Sequence, residues 1–167
     1  ISGSATRLRG VWGSGPGDVW VVGYAGTILH LEHPLPAAYG GACTAPLATY
    51  CAATLHGATY GVTGQFASYP CASGTLSGGE AYYQLANPVS GTVTLTLTNR
   101  EADLDLIVVG ADGFGGCDPG GQCLAASQVA GAGGLEQITL STVQGETYYL
   151  IVDSPTGAAG GFTLDVA

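Results

Sequence analysis

The sequence has no methionine and no lysine, and its only cations are Arg7, Arg9 and Arg100, against twelve carboxylates. A net charge of −9 repels phosphate backbones and anionic lipid, so nucleic acid and membrane surfaces are poor partners. No stretch approaches the roughly 20 apolar residues of a membrane span, and none sustains a helical period. There is no CxxC pair, and no histidine is placed to complete a zinc site, which argues against structural metal. An N-x-S/T sequon is missing too, although abundant Thr and Ser leave O-glycosylation open.

What is present is glycine, 29 residues of it, with eight prolines and abundant Thr and Val. That mixture suits short strands punctuated by turns, and 167 residues suffice for one well-packed domain with a small appendage. The expected class is all-β. Charge is unevenly spread: residues 1–36 sum to zero, whereas 37–167 hold Arg100 and ten acids and so carry the whole net charge. Sparse charge with many small polar residues is typical of exported and surface proteins. The sequence starts at Ile1 without a signal-like segment, which predicts a processed product or part of a longer precursor.

The clearest pattern lies in Gly91–Asp112. Val93, Leu95 and Leu97 alternate with Thr92, Thr94, Thr96 and Thr98, and after Asn99–Arg100–Glu101 the period resumes at Leu104, Leu106 and Val108. Successive strand side chains point to opposite faces, so each run has one core face and one solvent face. Two such runs around a polar corner predict an antiparallel hairpin with Asp103 and Asp105 outward. Further strands are expected at Ala81–Leu85, Leu124–Ser127, Glu136–Leu140, Thr147–Asp153 and Phe162–Val166. Weak ones are expected at Ala58–Val62 and Gln65–Tyr69.

The five cysteines fit disulfides in an oxidising compartment. The turn-rich Asp-Pro-Gly-Gly-Gln loop between Cys117 and Cys123 predicts that pair, and Cys51–Cys71 is the second, leaving Cys43 unpaired.

Near the amino terminus, Leu8–Trp12, Val19–Gly23 and Thr27–Leu31 read as a three-stranded meander with glycine-rich turns. The stretch VWGSGPGDVWVVGYAGTILH resembles a single repeat of the kind found in tandem in exported bacterial proteins and related to sialidase-type propeller blades. Residues 37–42 read as a linker, giving an arm at 1–36 and a domain at 43–167. In that domain GGEAYYQL, SGTVTLTLTNREADLDLIVVG and ETYYLIVDSPTGAAGGFTLDV resemble the bacterial pre-peptidase C-terminal (PPC) domain. The resemblance implies a jelly-roll-like antiparallel β-sandwich without catalytic function, appended to secreted proteins and in some relatives binding polymers such as collagen, or calcium. Related cysteine-rich copies often carry a further Cys after the last strand, which would account for the odd Cys43.

Several residues invite chemistry. Asp103, Asp105 and Asp112, with Asp118 or Asp153, offer hard oxygens for calcium, although no D-x-D-x-D-G loop is present; the alternative is edge charges that prevent stray strand pairing. Apart from calcium, no cofactor is expected. His30 and His33 fall on opposite sides of a strand, and His56 has no motif around it. Ser14 only faintly echoes a nucleophile elbow, no pair of carboxylates is singled out for glycoside chemistry, and no catalytic residue is assigned. Trp12, Trp20 and Tyr24 either stack on a partner or form the meander's own core.

A lone meander bearing Val11, Trp12, Trp20, Val22, Tyr24 and Ile28 cannot bury its apolar faces alone. The expected function is therefore a non-enzymatic exported structural protein that binds copies of itself through this arm, as a subunit of an extracellular filament or surface assembly. Two alternatives stand beside it. One is a polymer-binding accessory domain of a secreted hydrolase, with collagen or polysaccharide as partner; the other is a processed tail involved in secretion or maturation.

Overall fold

The computed structural model describes residues 8–15, 18–32, 41–86, 88–155 and 157–167. His33, the linker up to residue 40 and the side chains of Ser14 and His30 lie outside the described residues. The chain divides into two compact units, residues 1–36 and 37–167.

The first unit is a meander of β1 (Leu8–Gly15), β2 (Asp18–Gly23) and β3 (Ile28–Glu32), all antiparallel, with a single 3₁₀ turn at Tyr24–Gly26. The second unit is a sandwich. One sheet has the order β10-β7-β12-β5, built from β5 (Ala53–Ala58), β7 (Gly91–Thr98), β10 (Glu136–Thr142) and β12 (Gly161–Val166). The other has the order β4-β6-β11-β8-β9, built from β4 (Leu47–Thr49), β6 (Ala81–Ala86), β8 (Asp105–Gly110), β9 (Cys123–Ser127) and β11 (Thr147–Asp153). Every pairing is antiparallel except β4 with β6. This is the expected all-β sandwich with a small β-meander.

The alternating residues of β7 and β8 do meet in one core, yet not as a hairpin. β7 pairs with β10 and β12, whereas β8 pairs with β11 and β9, so the polar corner carries the chain from one sheet to the other. Val93, Leu95 and Leu97 then face Leu104, Leu106 and Val108 across the sandwich, joined by Tyr83, Leu150, Phe162 and Leu164. The reason lies at Arg100. Its side chain is buried at the corner, 2.7 Å from the equally buried Glu136, and donates to the carbonyls of Gly134, Leu104 and Val129. Asn99, beside it, adopts the left-handed φ of 50° that turns the chain. Glu136 also accepts from the Val129 N–H and the Ser127 hydroxyl, so every side-chain nitrogen and oxygen of the buried pair has a partner.

The second departure concerns the faces of β8. Asp105 is only 2% exposed, not outward to water, and Ile107 and Val109 on its face are completely buried. With Tyr82, Tyr149 and Ile151 they form a second apolar layer, closed by Cys43, Tyr69 and Leu76. Residues 59–80 supply most of that cover as an irregular strap; the weak strands expected at Ala58–Val62 and Gln65–Tyr69 do not form, and Ala58 instead ends β5. The Glu80 carboxylate accepts the N–H groups of Gln65 and Phe66, and the N–H groups of Ser77 and Gly78 donate to the Ser154 carbonyl. Gly79 passes so close to the strap that an added Cβ would sit 2.3 Å from the Val62 carbonyl oxygen.

The disulfides join distant segments rather than closing the short loops. They join Cys43 to Cys117 and Cys71 to Cys123, leaving Cys51 as the free thiol in place of Cys43. Neighbours in sequence are thus not bridged to each other: Cys71 ties the strap to the start of edge strand β9, and Cys43, ahead of β4, is tied to Cys117 in the β8–β9 loop. By the chain-entropy estimate each long closure contributes about 4 kcal/mol.

Replacing Arg100 by Ala strands Glu136 in the core and is expected to cost about 3–5 kcal/mol in urea unfolding, whereas Arg100→Met combined with Glu136→Leu recovers most of it.

Candidate functional site

Three places carry the residues to which function was attached: the meander, the 110–123 loop and the acids beneath the strap. In the meander, Trp12 lies opposite Trp20, and Gly10 opposite Val22, which in turn faces Ile28. Residues directly across from each other share a face. One face therefore holds Trp12, Trp20, Val22 and Ile28, and the other holds Val11, Val21 and Leu29. Both faces are apolar. Val11, Trp12 and Ile28 are each more than 60% exposed, and Gly10, Val11, Trp12, Trp20, Val22 and Ile28 line a shallow depression. Tyr24 opens the 3₁₀ turn, where the Arg9 guanidinium lies 4.0 Å over its ring. The turn is closed by Thr27, whose hydroxyl donates to the Tyr24 carbonyl.

The acids proposed for calcium are placed in three separate arrangements. Asp103 accepts the Gly131 N–H and lies 4.0 Å from Arg100. Asp112 caps its own turn by accepting from Phe114 and Gly116. Asp105 faces Asp153 across β8 and β11 and accepts from Gln128. Among the described residues no group of three or more His, Cys, Asp or Glu side chains is arranged to hold a metal ion. His56 shares a hydrogen bond with Thr163.

Asp105 and Asp153 are unusual for their chemistry. Burial pushes the Asp153 carboxyl up to about 7, with the charge of Glu80 adding to it; the Ser154 N–H and the Tyr69 hydroxyl pull the other way. Burial likewise raises Asp105 to about 6, partly offset by its bond from Gln128. Tyr69 and Tyr82 are shifted strongly upward by burial near these carboxylates, so both stay as neutral phenols. The Tyr82 hydroxyl is buried beside Glu80 without a hydrogen bond of good geometry. Both aspartates are buried, Asp153 under Tyr69 of the strap and Asp105 through Gln128, which also bonds Ser73 of the strap, so their protonation bears on stability. This group was invisible in the sequence, where Asp103 and Asp105 look equivalent; only the strap separates them.

No family model matches this chain, and no curated protein matches it. Among solved structures it is similar to the pre-peptidase C-terminal domain of a collagenase from Bacillus anthracis, with 14% identity over 72% of this chain and 92% of that one and a TM-score of 0.50. The sandwich has a PPC-like fold. A cleaved adhesin domain of Lys-gingipain from Porphyromonas gingivalis also aligns, at 13% identity over 68% of this chain and 71% of that one, with a TM-score of 0.36. In the PPC-like unit Asp112 caps a turn, Glu136 pairs with Arg100 and Glu80 anchors the strap. Its two disulfides suit an oxidising compartment. Among the described residues no helix is long and apolar enough to cross a membrane.

The raised carboxyls set a pH dependence. Each aspartate keeps its proton in the fold at pH values where the unfolded chain, with an ordinary carboxyl near 3.8, has lost it. Their effect therefore favours the fold in acid, and that advantage is lost as pH rises from about 4 to about 7. Asp105→Asn is expected to add about 2–3 kcal/mol at pH 8 and almost nothing at pH 4, read from thermal melts across that range.

Proposed function

We propose that this is a non-catalytic exported structural protein that self-associates through residues 8–32, as the subunit of an extracellular filament or surface assembly. The observation that carries the reading is the meander's pair of apolar faces. An antiparallel sheet normally turns one face to water, and a sheet apolar on both sides needs cover on both. Trp12, Val22 and Ile28 on one face and Val11 and Leu29 on the other are all among the exposed large hydrophobic residues. Because the two faces differ, a contact between one face and a different surface of the next copy is heterologous. Such contacts close into rings only when the rotation allows it and otherwise grow into filaments. The PPC-like sandwich then serves as the body that the arm links, and its disulfides and acidic surface suit an extracellular setting.

One feature favours a second reading. Trp12 stands directly opposite Trp20 beside the side-chain-free Gly10, which makes a platform for stacking sugar rings or apolar polymer side chains. On that reading the arm holds an extracellular polymer such as collagen or polysaccharide.

The two separate in one set of measurements on the full chain. Wild type is expected to form concentration-dependent assemblies by light scattering and electron microscopy, and Trp12→Ser with Val22→Ser and Ile28→Ser is expected to abolish them without changing the sandwich's melting temperature. Unchanged assembly in the triple variant defeats self-association through the arm. A wild-type monomer that sediments with insoluble collagen or polysaccharide, and loses this with Trp12→Ser, selects the polymer reading instead.

A further inference from the structure

Residues 65–78 of the strap belong to no strand, yet they bury Tyr69 and Leu76 against Tyr82, Ile107, Val109 and Ile151. The polar links that hold this segment lead to three buried acids. The Tyr69 hydroxyl donates to Asp153 Oδ2 at 3.0 Å. Ser73 and Gln128 bond each other through the Ser73 N–H, hydroxyl and carbonyl, and Gln128, just past β9, donates to Asp105 Oδ2 at 3.1 Å. The Gln65 and Phe66 N–H groups donate to Glu80, and those of Ser77 and Gly78 to the carbonyl of Ser154, the neighbour of Asp153. Gly78 passes so close that an added Cβ would sit 3.1 Å from Asp153 Oδ1. One covalent bond, Cys71–Cys123, ties the segment to β9.

Asp105 and Asp153 stand directly opposite each other on β8 and β11, so the two buried carboxyls share one face. Asp153 is also faced by Glu80 and Tyr69 of the strap and by Tyr82 of β6. Asp105 is faced by Gln128, by Glu136 of β10, and by Asp103 and Arg100 of the corner, where Arg100 is paired to Glu136 at 2.7 Å. With both aspartates ionised, like charges would lie together beside Glu80 in a poorly hydrated layer. Water reaches them when the strap lifts. Burial already raises Asp153 to about 7 and Asp105 to about 6 against the donors that pull the other way.

We propose that residues 65–78 form a pH-operated flap, held shut over the Tyr82–Ile107–Val109–Ile151 face while Asp105 and Asp153 carry protons and released from it, ahead of the sheets beneath, when they lose them. In the lifted state the two carboxyls regain water and titrate near the ordinary 3.8. Lifting therefore releases protons, becomes easier as pH rises from about 4 to about 7, and levels off above that. The Cys71–Cys123 bond keeps the lifted segment attached, so the change reverses on acidification. Such a partial opening costs less than unfolding the sheets, because it uncovers one face and breaks no ladder.

The test is amide hydrogen exchange on the full, oxidised chain, corrected for the intrinsic pH dependence of exchange. Its reporters are the N–H groups of Gln65, Phe66, Ser73, Ser77 and Gly78, whose acceptors are Glu80, Gln128 and Ser154. Their protection is expected to fall by about a hundredfold or more between pH 4 and 7 and to change little above it. At every pH it is expected to stay below that of the β8 and β11 amides. Asp105→Asn with Asp153→Asn is expected to flatten the fall. Strap amides that match β8 and β11 at every pH, protection that ignores pH, or a fall that survives in the double variant overturns the proposal. If the double variant does not fold, Asp153→Asn alone decides: it is expected to remove the larger share of the fall, and an unchanged fall refutes the flap.

Discussion

The PPC-like unit depends on one constraint: its central strands β8 and β11 are apolar on both faces and so must be covered on both. Leu106, Val108, Leu150 and Val152 meet the opposing sheet, while Ile107, Val109 and Ile151 turn the other way and are no less buried. A sheet with a single packed side would leave this second row in water, at a cost of roughly 1.5–3 kcal/mol for each large side chain. The strap removes that cost. Its disulfide to β9, its bonds to Glu80 and Ser154, and the Tyr69–Asp153 contact all hold irregular backbone against an apolar surface.

Covering a sheet with irregular chain brings polar groups inside, and the fold answers in two ways. Where charge is paired, as at Arg100 and Glu136, each side-chain nitrogen and oxygen has a partner and the corner between sheets is fixed. Where acids lie side by side, as at Asp105 and Asp153, burial outweighs the pull of nearby donors and the protonated form is favoured instead. Both solutions belong to the scaffold.

The same rule about two-faced sheets applies to the meander, with a different outcome. There the apolar residues of both faces are exposed, and no strap of its own unit covers them among the described residues. That contrast within one chain supports looking for the missing cover in another molecule.

Local pattern alone was enough to determine much of this protein: the all-β class, most strands to within a residue or two, and the alternating core rows of β7 and β8. It also marked the exposed aromatic and aliphatic residues of the meander, because strand periodicity is written in neighbouring positions. Partners distant in sequence were decided only by the tertiary structure. Strands β7 and β8 look like a hairpin until the buried Arg100 sends them to opposite sheets, and Asp105 looks solvent-facing until the strap is laid over it. The disulfides show the same limit, since Cys43–Cys117 and Cys71–Cys123 span separations of 74 and 52 residues that no turn motif encodes. Alternation shows which side chains share a face, but what covers that face depends on contacts formed between distant parts of the chain.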